Sequence, residues 1–463
     1  MRNFLAFIGY KTIILIIIVI SIFLSAYWQR YRHLAGDEPH YLTITHSIAY
    51  DGDIALKNNY DRQDYQNFYD QSIATGDRHI SPNSILRGNY SLHNIGLPLI
   101  LVPGYVLGKR SGVTLTLYLI CIFEIFLFAR ILKKITDKIS ALPILLVFLT
   151  MPMIIYSHII THELVASCTV LLFFYQLFFC NTNNKSKYQI LSIGLLLAFL
   201  PWLHIKYIFL LFFLLIIVLF NSKDKFQFLY YFLMSLLSSL GLLFFLKIFY
   251  GDFSLVAQYP AEYSSLVNLI KGFFGLLIDE SFGIFVFSPI LLLTPAAIYF
   301  SYKYKQAFLI WSLFLIFATT VVNFLYANKI GWSPAGRMWV VVIPVVFVWF
   351  IYLYKQIKHI VTKRIFRLFS FLSIAIGVLC SLVPPISYNT GEQNRIFMII
   401  EKATYINLSV LFPKLLAITD YLPQTNGWVM VGWIDWLKTF LWIVAIAVLN
   451  FYIIKKNTYD YRH

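Results

Sequence analysis

The residues able to do chemistry in this chain are few, and they cluster beside apolar runs. Asp37-Glu38-Pro39-His40-Tyr41 follows the first long apolar run, where a membrane helix would meet water. Two adjacent carboxylates are costly there unless they are solvated, paired or used. With Asp37 at the start of a short helix, Pro39 falls in its first turn, where proline is tolerated. Asp37 and Tyr41 then share one face at i,i+4 spacing, with Glu38 about a quarter turn away. A carboxylate near apolar surface holds its proton more tightly, and a neighbouring carboxylate adds to this, which suits a base working near neutral pH. Asp37 is therefore the candidate general base and Glu38 its catalytic partner. The competing reading is that Asp37 only caps the helix.

Other candidates follow along the chain. His93 precedes Asn94-Ile95-Gly96-Leu97-Pro98 and could orient a phosphate or a sugar hydroxyl, or simply cap or face solvent. Ser157-His158-Ile159-Ile160-Thr161-His162-Glu163 is a short polar turn. It lacks the H-E-x-x-H order of zinc proteases, so Glu163 reads as a second acid with His158 and His162 as hydrogen-bonding partners. Lys206, after Pro201-Trp202-Leu203-His204-Ile205, either snorkels or neutralises a phosphate. Gly331-Trp332-Ser333-Pro334-Ala335-Gly336-Arg337 presents Arg337 at a helix start, an arrangement suited to phosphate. Asp279-Glu280 is a second paired-acid turn, for which helix capping competes with substrate binding. Glu124 stands alone in an apolar run, where acids are functional by default, with no partner evident in the sequence. No residue is assigned to a metal.

The elements that must hold these residues are membrane helices. The 463 residues are 59% hydrophobic and 13% charged, with mean hydropathy +0.73, against about half apolar and a quarter charged in soluble domains. This is an all-α, polytopic transmembrane protein. Spans are expected at Thr12 to Ala26, Val113 to Leu132, Ala141 to Tyr156, Leu164 to Phe179, Ile190 to Leu203, Tyr207 to Phe220 and Phe226 to Phe249. Further spans are expected at Phe285 to Phe300, Ala307 to Leu325, Met338 to Tyr354, Leu368 to Val383 and Leu437 to Ile454. That makes about twelve, with both termini cytoplasmic. The short run Ile95 to Leu107, broken by Pro98, Pro103 and Gly104, reads as an interfacial or re-entrant helix.

The charge pattern supports that order. Inner loops carry Lys133, Lys134, Lys185, Lys187, Lys223, Lys225, Lys303, Lys305, Lys355, Lys358, Lys363, Arg364 and Arg367 with few acids. The net charge of +16 is thus an orientation signal rather than a nucleic-acid patch. The first outer loop, residues 28–111, holds Asp51, Asp53, Asp61, Asp64, Asp70 and Asp77. Residues 1–385 form the expected catalytic module, and 386–463 an outer loop plus the last helix. The four cysteines lie in apolar runs without metal-type spacing and read as packing residues.

Acids after the first helix, a histidine before a Gly-x-Pro interfacial helix, and a basic residue at a later outer turn resemble the GT-C superfamily of integral-membrane glycosyltransferases. The chain is similar to protein O-mannosyltransferases and the lipid A aminoarabinose transferase. Asp37-Glu38-Pro39-His40-Tyr41 matches their D-E-x-x-Y-like motif; His93 with Asn94-Ile95-Gly96-Leu97-Pro98 matches their H-P-P-L-like element only in part. Glu163 looks like their acid after the third helix, and Lys206 like their lysine between the fifth and sixth helices. The resemblance covers the first half well and the second half only through Arg337 and topology. It implies a GT-C-like fold with interfacial helices in the first outer loop and a polyprenyl-phosphate-linked sugar as donor. It further implies an envelope lipid, glycan or protein hydroxyl as acceptor, and inverting transfer on the outer face of the plasma membrane. No cofactor is required, though a divalent metal is compatible. A transporter or lipid flippase is the rival from another class, and a non-catalytic scaffold a third.

Overall fold

The computed structural model describes residues 12, 15, 19, 23 and 27, then 34–137, 140–180, 187–221, 225–254, 266–325, 333–383, 386, 394–416 and 432–458. Thr12, Leu15, Val19, Phe23 and Tyr27 are helical; the rest of the first expected span lies outside the described residues, as do Gly331, Trp332 and residues 387–393 and 417–431 of the Ile386 to Trp436 loop. The chain is all-α, 78% helical with no strand among the described residues. Five helices are long and apolar enough to cross a membrane: Gly96–Thr136, Lys225–Tyr250, Pro289–Val321, Ile360–Leu382 and Trp433–Thr458. Glu163–Phe179, Lys187–Leu203, Tyr207–Asn221 and Ile343–Gln356 are shorter apolar helices.

Two compact units divide the chain. One comprises Met1–Leu24, Ile125–Tyr156 and Ser264–His463; the other comprises Ser25–Glu124 and Ser157–Tyr263. Both are discontinuous in sequence. Within the first, Asn450 of the last helix accepts a hydrogen bond from Ala296 N (2.9 Å) and donates to Leu292 O (2.9 Å). The C-terminal helix thereby satisfies backbone groups at a helix start that no intrahelical partner reaches.

Prolines set the helix boundaries that apolar run lengths do not. The expected span Ala141 to Tyr156 is two helices, Ala141–Phe148 and Met153–Tyr156, because Pro152 lacks the N–H an unbroken helix needs. Phe285 to Phe300 divides likewise into Ile284–Phe287, a tight turn at Pro289–Leu293, and a helix from Thr294. Ile343–Gln356 starts later than Met338, with Pro344 in its first turn, where proline is favoured.

The second unit holds the 28–111 loop. Asp51 accepts from Asn58 (3.0 Å) and Asn59 (2.7 Å), and Arg62 bridges Asp51 and Asp64. The loop acids therefore fold the loop. The run beginning at Gly96 leaves helical geometry at Gly108 and Lys109, where Lys109 has φ 49°. A Cβ on Gly112 would lie 1.9 Å from Gly104 O, whereas eight residues of straight helix would separate these positions by about 12 Å. The chain therefore reverses, and the helix before the turn packs backbone to backbone on the one after it.

Gly96 packs as tightly: its Cβ would meet Trp202 C and O at 2.4 Å. Gly96→Ala should destabilise the protein by about 1–3 kcal/mol, seen as a lower thermal midpoint in detergent. Gly108→Ala, with nothing within 4 Å, should change it by less than about 0.5 kcal/mol.

Candidate functional site

Asp37 occupies the N-cap position of the helix Glu38–His46, but its side chain makes no capping hydrogen bond. Its Oδ1 lies 3.9 Å from both His79 Nδ1 and His93 Nε2. The purely capping reading of Asp37 is thus not how the carboxylate is used. Asp37 and Tyr41 do share a face, and both meet His93: the Tyr41 and His93 ring centres are 4.7 Å apart.

Glu38, expected as the catalytic partner of Asp37, is tied to the backbone on both carboxylate oxygens. It is 1% exposed; Oε2 accepts from Ala35 N (3.1 Å) and Oε1 from Ile160 N (2.9 Å). A buried carboxylate is tolerable when backbone N–H groups satisfy it. Glu38 therefore positions: it closes the turn that carries Asp37 and pins it to the 157–163 turn.

That second turn brings in the remaining candidates. His162, buried, lies beside Tyr41 (6.3 Å between ring centres), 2.8 Å from Tyr207 Oη and 3.6 Å from Glu163 Oε2. Glu163 begins the next helix, where a carboxylate is favoured by the helix dipole, and Lys206 Nζ lies 3.5 Å from its Oε1. From Asp37 through His93, Tyr41, His162 and Glu163 to Lys206, the run of neighbours is continuous within one unit. Its outer wall is fixed by polar ties: Asn94 donates to Pro201 O (2.9 Å), Ser91 Oγ accepts from His93 N (3.0 Å), and Tyr250 donates to Ser91 O (2.7 Å).

Sequence reading missed His79, His40, His204 and Tyr207. His79 Nδ1 is 2.9 Å from His93 Nε2, and His40 stacks on His79 at 3.8 Å. His204 lies 4.6 Å from His162 between ring centres. The available signal was the crowding of histidines into the polar outer segments. Burial, and then the neighbouring His79 and His93, hold His40 well below the ordinary histidine range, with Asp37 pulling the other way. Burial also lowers His79, opposed by Asp37 and Asp77. His40 and His79 thus favour the neutral imidazole, able to accept a proton or hold a ligand.

Arg337, Asp279 and Glu280 belong to the other unit. Arg337 opens a short 3-10 turn after Gly336, whose φ of 83° favours glycine. Asp279, expected as a substrate contact, accepts four backbone hydrogen bonds. Oδ1 accepts from Ser281 N and Phe282 N, and Oδ2 from Leu415 N (2.7 Å) and Leu416 N (2.9 Å). Burial pushes it up to about 6 against those four backbone bonds. Glu280, also buried, accepts from Asn394 N (3.1 Å) and Ser409 Oγ (2.7 Å). The pair fastens the 394–416 segment to its unit. Glu124, fully buried, gains the partner the sequence did not reveal: Ser167 Oγ donates to it at 2.6 Å.

Comparison with known proteins found no matching family model, no matching curated protein and no matching solved structure.

Asp279→Ala should cost about 2–4 kcal/mol by leaving four backbone donors without their acceptor, read as a lower thermal midpoint. Glu163→Ala should cost about 3 kcal/mol because the Lys206 ammonium loses its carboxylate. The double variant Glu163→Ala, Lys206→Met should recover part of that loss in a double-mutant cycle.

Proposed function

We propose that this chain is a membrane glycosyltransferase of the GT-C type. It moves a sugar from a polyprenyl-phosphate donor to an acceptor hydroxyl on the extracytoplasmic face of the plasma membrane. The observation that carries this reading is the contact run from Asp37 to Lys206. It joins a carboxylate, imidazoles and an ammonium group beside a helical hairpin. These are the groups that moving a glycosyl unit between oxygens requires.

In this mechanism Asp37 takes the acceptor proton as the hydroxyl oxygen attacks the anomeric carbon. A single displacement inverts that carbon and releases polyprenyl phosphate. Positive charge builds on the sugar ring and negative charge on the departing phosphate. Asp37 lies on the ring side, while Lys206, held by Glu163, meets the phosphate; both ends are stabilised in the transition state more than in the ground state. His79 and His93 orient Asp37, and Glu38 fixes its helix. The same reading takes about twelve crossings with both termini cytoplasmic, the arrangement that puts the basic loops inside.

One observation favours a second reading, a transporter or lipid flippase. Glu124 is a fully buried acid inside the helix that follows the Gly108–Lys109 reversal, and such acids often mark ion or substrate paths. The two readings separate by variant: a flippase stops with Glu124→Gln and works with Asp37→Asn, and a transferase does the reverse.

With the protein in nanodiscs, Asp37→Asn should lower sugar transfer roughly 10²–10⁴-fold, the range of one general base, while polyprenyl-phosphate binding followed by native mass spectrometry stays near native. Lys206→Gln should weaken that binding by about 5–50-fold through loss of a charge-assisted contact. Undiminished transfer by Asp37→Asn would remove Asp37 as the base.

A further inference from the structure

We infer that Asp37, His79 and His93 form a binding site for one divalent first-row cation, with zinc the best fit. Asp37 Oδ1, His79 Nδ1 and His93 Nε2 form a triangle with sides of 3.9, 3.9 and 2.9 Å. The point equidistant from its corners lies in their plane, about 2.1 Å from each, which is the length of a Zn–N or Zn–carboxylate bond. Tetrahedral ligands at that length stand about 3.4 Å apart, so the imidazoles part and the carboxylate closes by about half an ångström on binding. Two imidazoles and one carboxylate suit borderline cations such as zinc better than the hard cations calcium and magnesium, which prefer oxygen ligands throughout. Three protein ligands are also the number found in zinc sites that keep a position open for water or substrate. Each of the three residues is partly exposed, so that position has access.

The surroundings hold the ligands in place, as metal sites require. His79 sits at φ 44°, in the left-handed region where histidine is among the better tolerated side chains. Its carbonyl accepts from Leu92 N (2.8 Å), and Ser81 N donates to Tyr90 O (2.9 Å). These bonds zip the His79 segment against the His93 segment, so their rings meet. His40 stacks on His79 and fixes its plane. His40 is itself held by Tyr60 Oη at 3.0 Å, and Tyr60 donates to Arg78 O at 2.7 Å. A single hydrogen bond between the two imidazoles would account for their 2.9 Å approach. It would not account for a carboxylate oxygen standing equally far from both nitrogens.

The inference does not rest on the transferase reading. Joined to it, the ion would hold the acceptor hydroxyl at the place where Asp37 works, leaving Asp37 Oδ2 to receive the proton.

The test uses the full chain, without a histidine tag, in detergent, stripped with a chelator and titrated with Zn²⁺ and Co²⁺. We expect one equivalent bound. Co²⁺ should give visible d–d bands, and X-ray absorption of the zinc form should show imidazole and oxygen but no sulfur. His79→Ala and His93→Ala should each weaken binding by roughly 100-fold or more, beyond the loss usual for outer-shell residues. Because loss of folding would also weaken uptake in those variants, the absorption spectrum of the native protein is the deciding measurement. No stoichiometric uptake by the native chain, sulfur in the first shell, or a first shell without imidazole would each overturn the site. So would unchanged affinity in both folded variants.

Discussion

The buried carboxylate of Glu38 is the constraint on which the candidate site depends. Taking an acid to 1% exposure is costly unless its oxygens are satisfied. Here they accept from Ala35 N in the preceding turn and from Ile160 N, 122 residues further along the chain. One side chain therefore sets the entry of the Asp37 helix and its distance from the turn that carries His162 and Glu163. The adjacent acids have divided the work: Glu38 is locked so that Asp37 can face the histidines.

Around this tie, polar groups carry the precision and apolar helices supply the bulk. In a membrane, van der Waals packing and hydrogen bonds between helices do most of the ordering, because lipid is as apolar as the helix faces. The chain uses close backbone approach at Gly96, Gly104 and Gly112. It also uses single polar ties such as Asn94 to Pro201 and Asn450 to Leu292. Asp279 serves its own unit in the same way, clamping Leu415 and Leu416. Several acids of this chain are thus fasteners, and the few that are not stand out by contrast.

Much of this was legible in the sequence, for a physical reason. A membrane helix ends where charge or proline begins, so Tyr207 to Phe220 and Phe226 to Phe249 were read within a residue of Tyr207–Asn221 and Lys225–Tyr250. The short run Ile95 to Leu107 was read as interfacial or re-entrant because Pro98, Pro103 and Gly104 break it, and the chain turns just after it, at Gly108 and Lys109. Contacts made across the chain were not legible. His79 sits in a loop with no periodicity, and only its pairing with the segment around Ser91 carries it to His93. The roles of Glu38 and Asp279 depend on backbone donors 122 and 136 residues away, which no local pattern encodes. Asp37 could be singled out because its type, position and spacing to Tyr41 were all local.

The function proposed for the Asp37 cluster is the consumption of a lipid-linked sugar. Lipid mass spectrometry on host cells carrying either the native chain or Asp37→Asn tests it most directly. One polyprenyl-phosphate sugar should accumulate in the variant and fall back when the native chain is restored. Unchanged polyprenyl-phosphate sugars, with the variant protein present in the membrane at native levels, would contradict it.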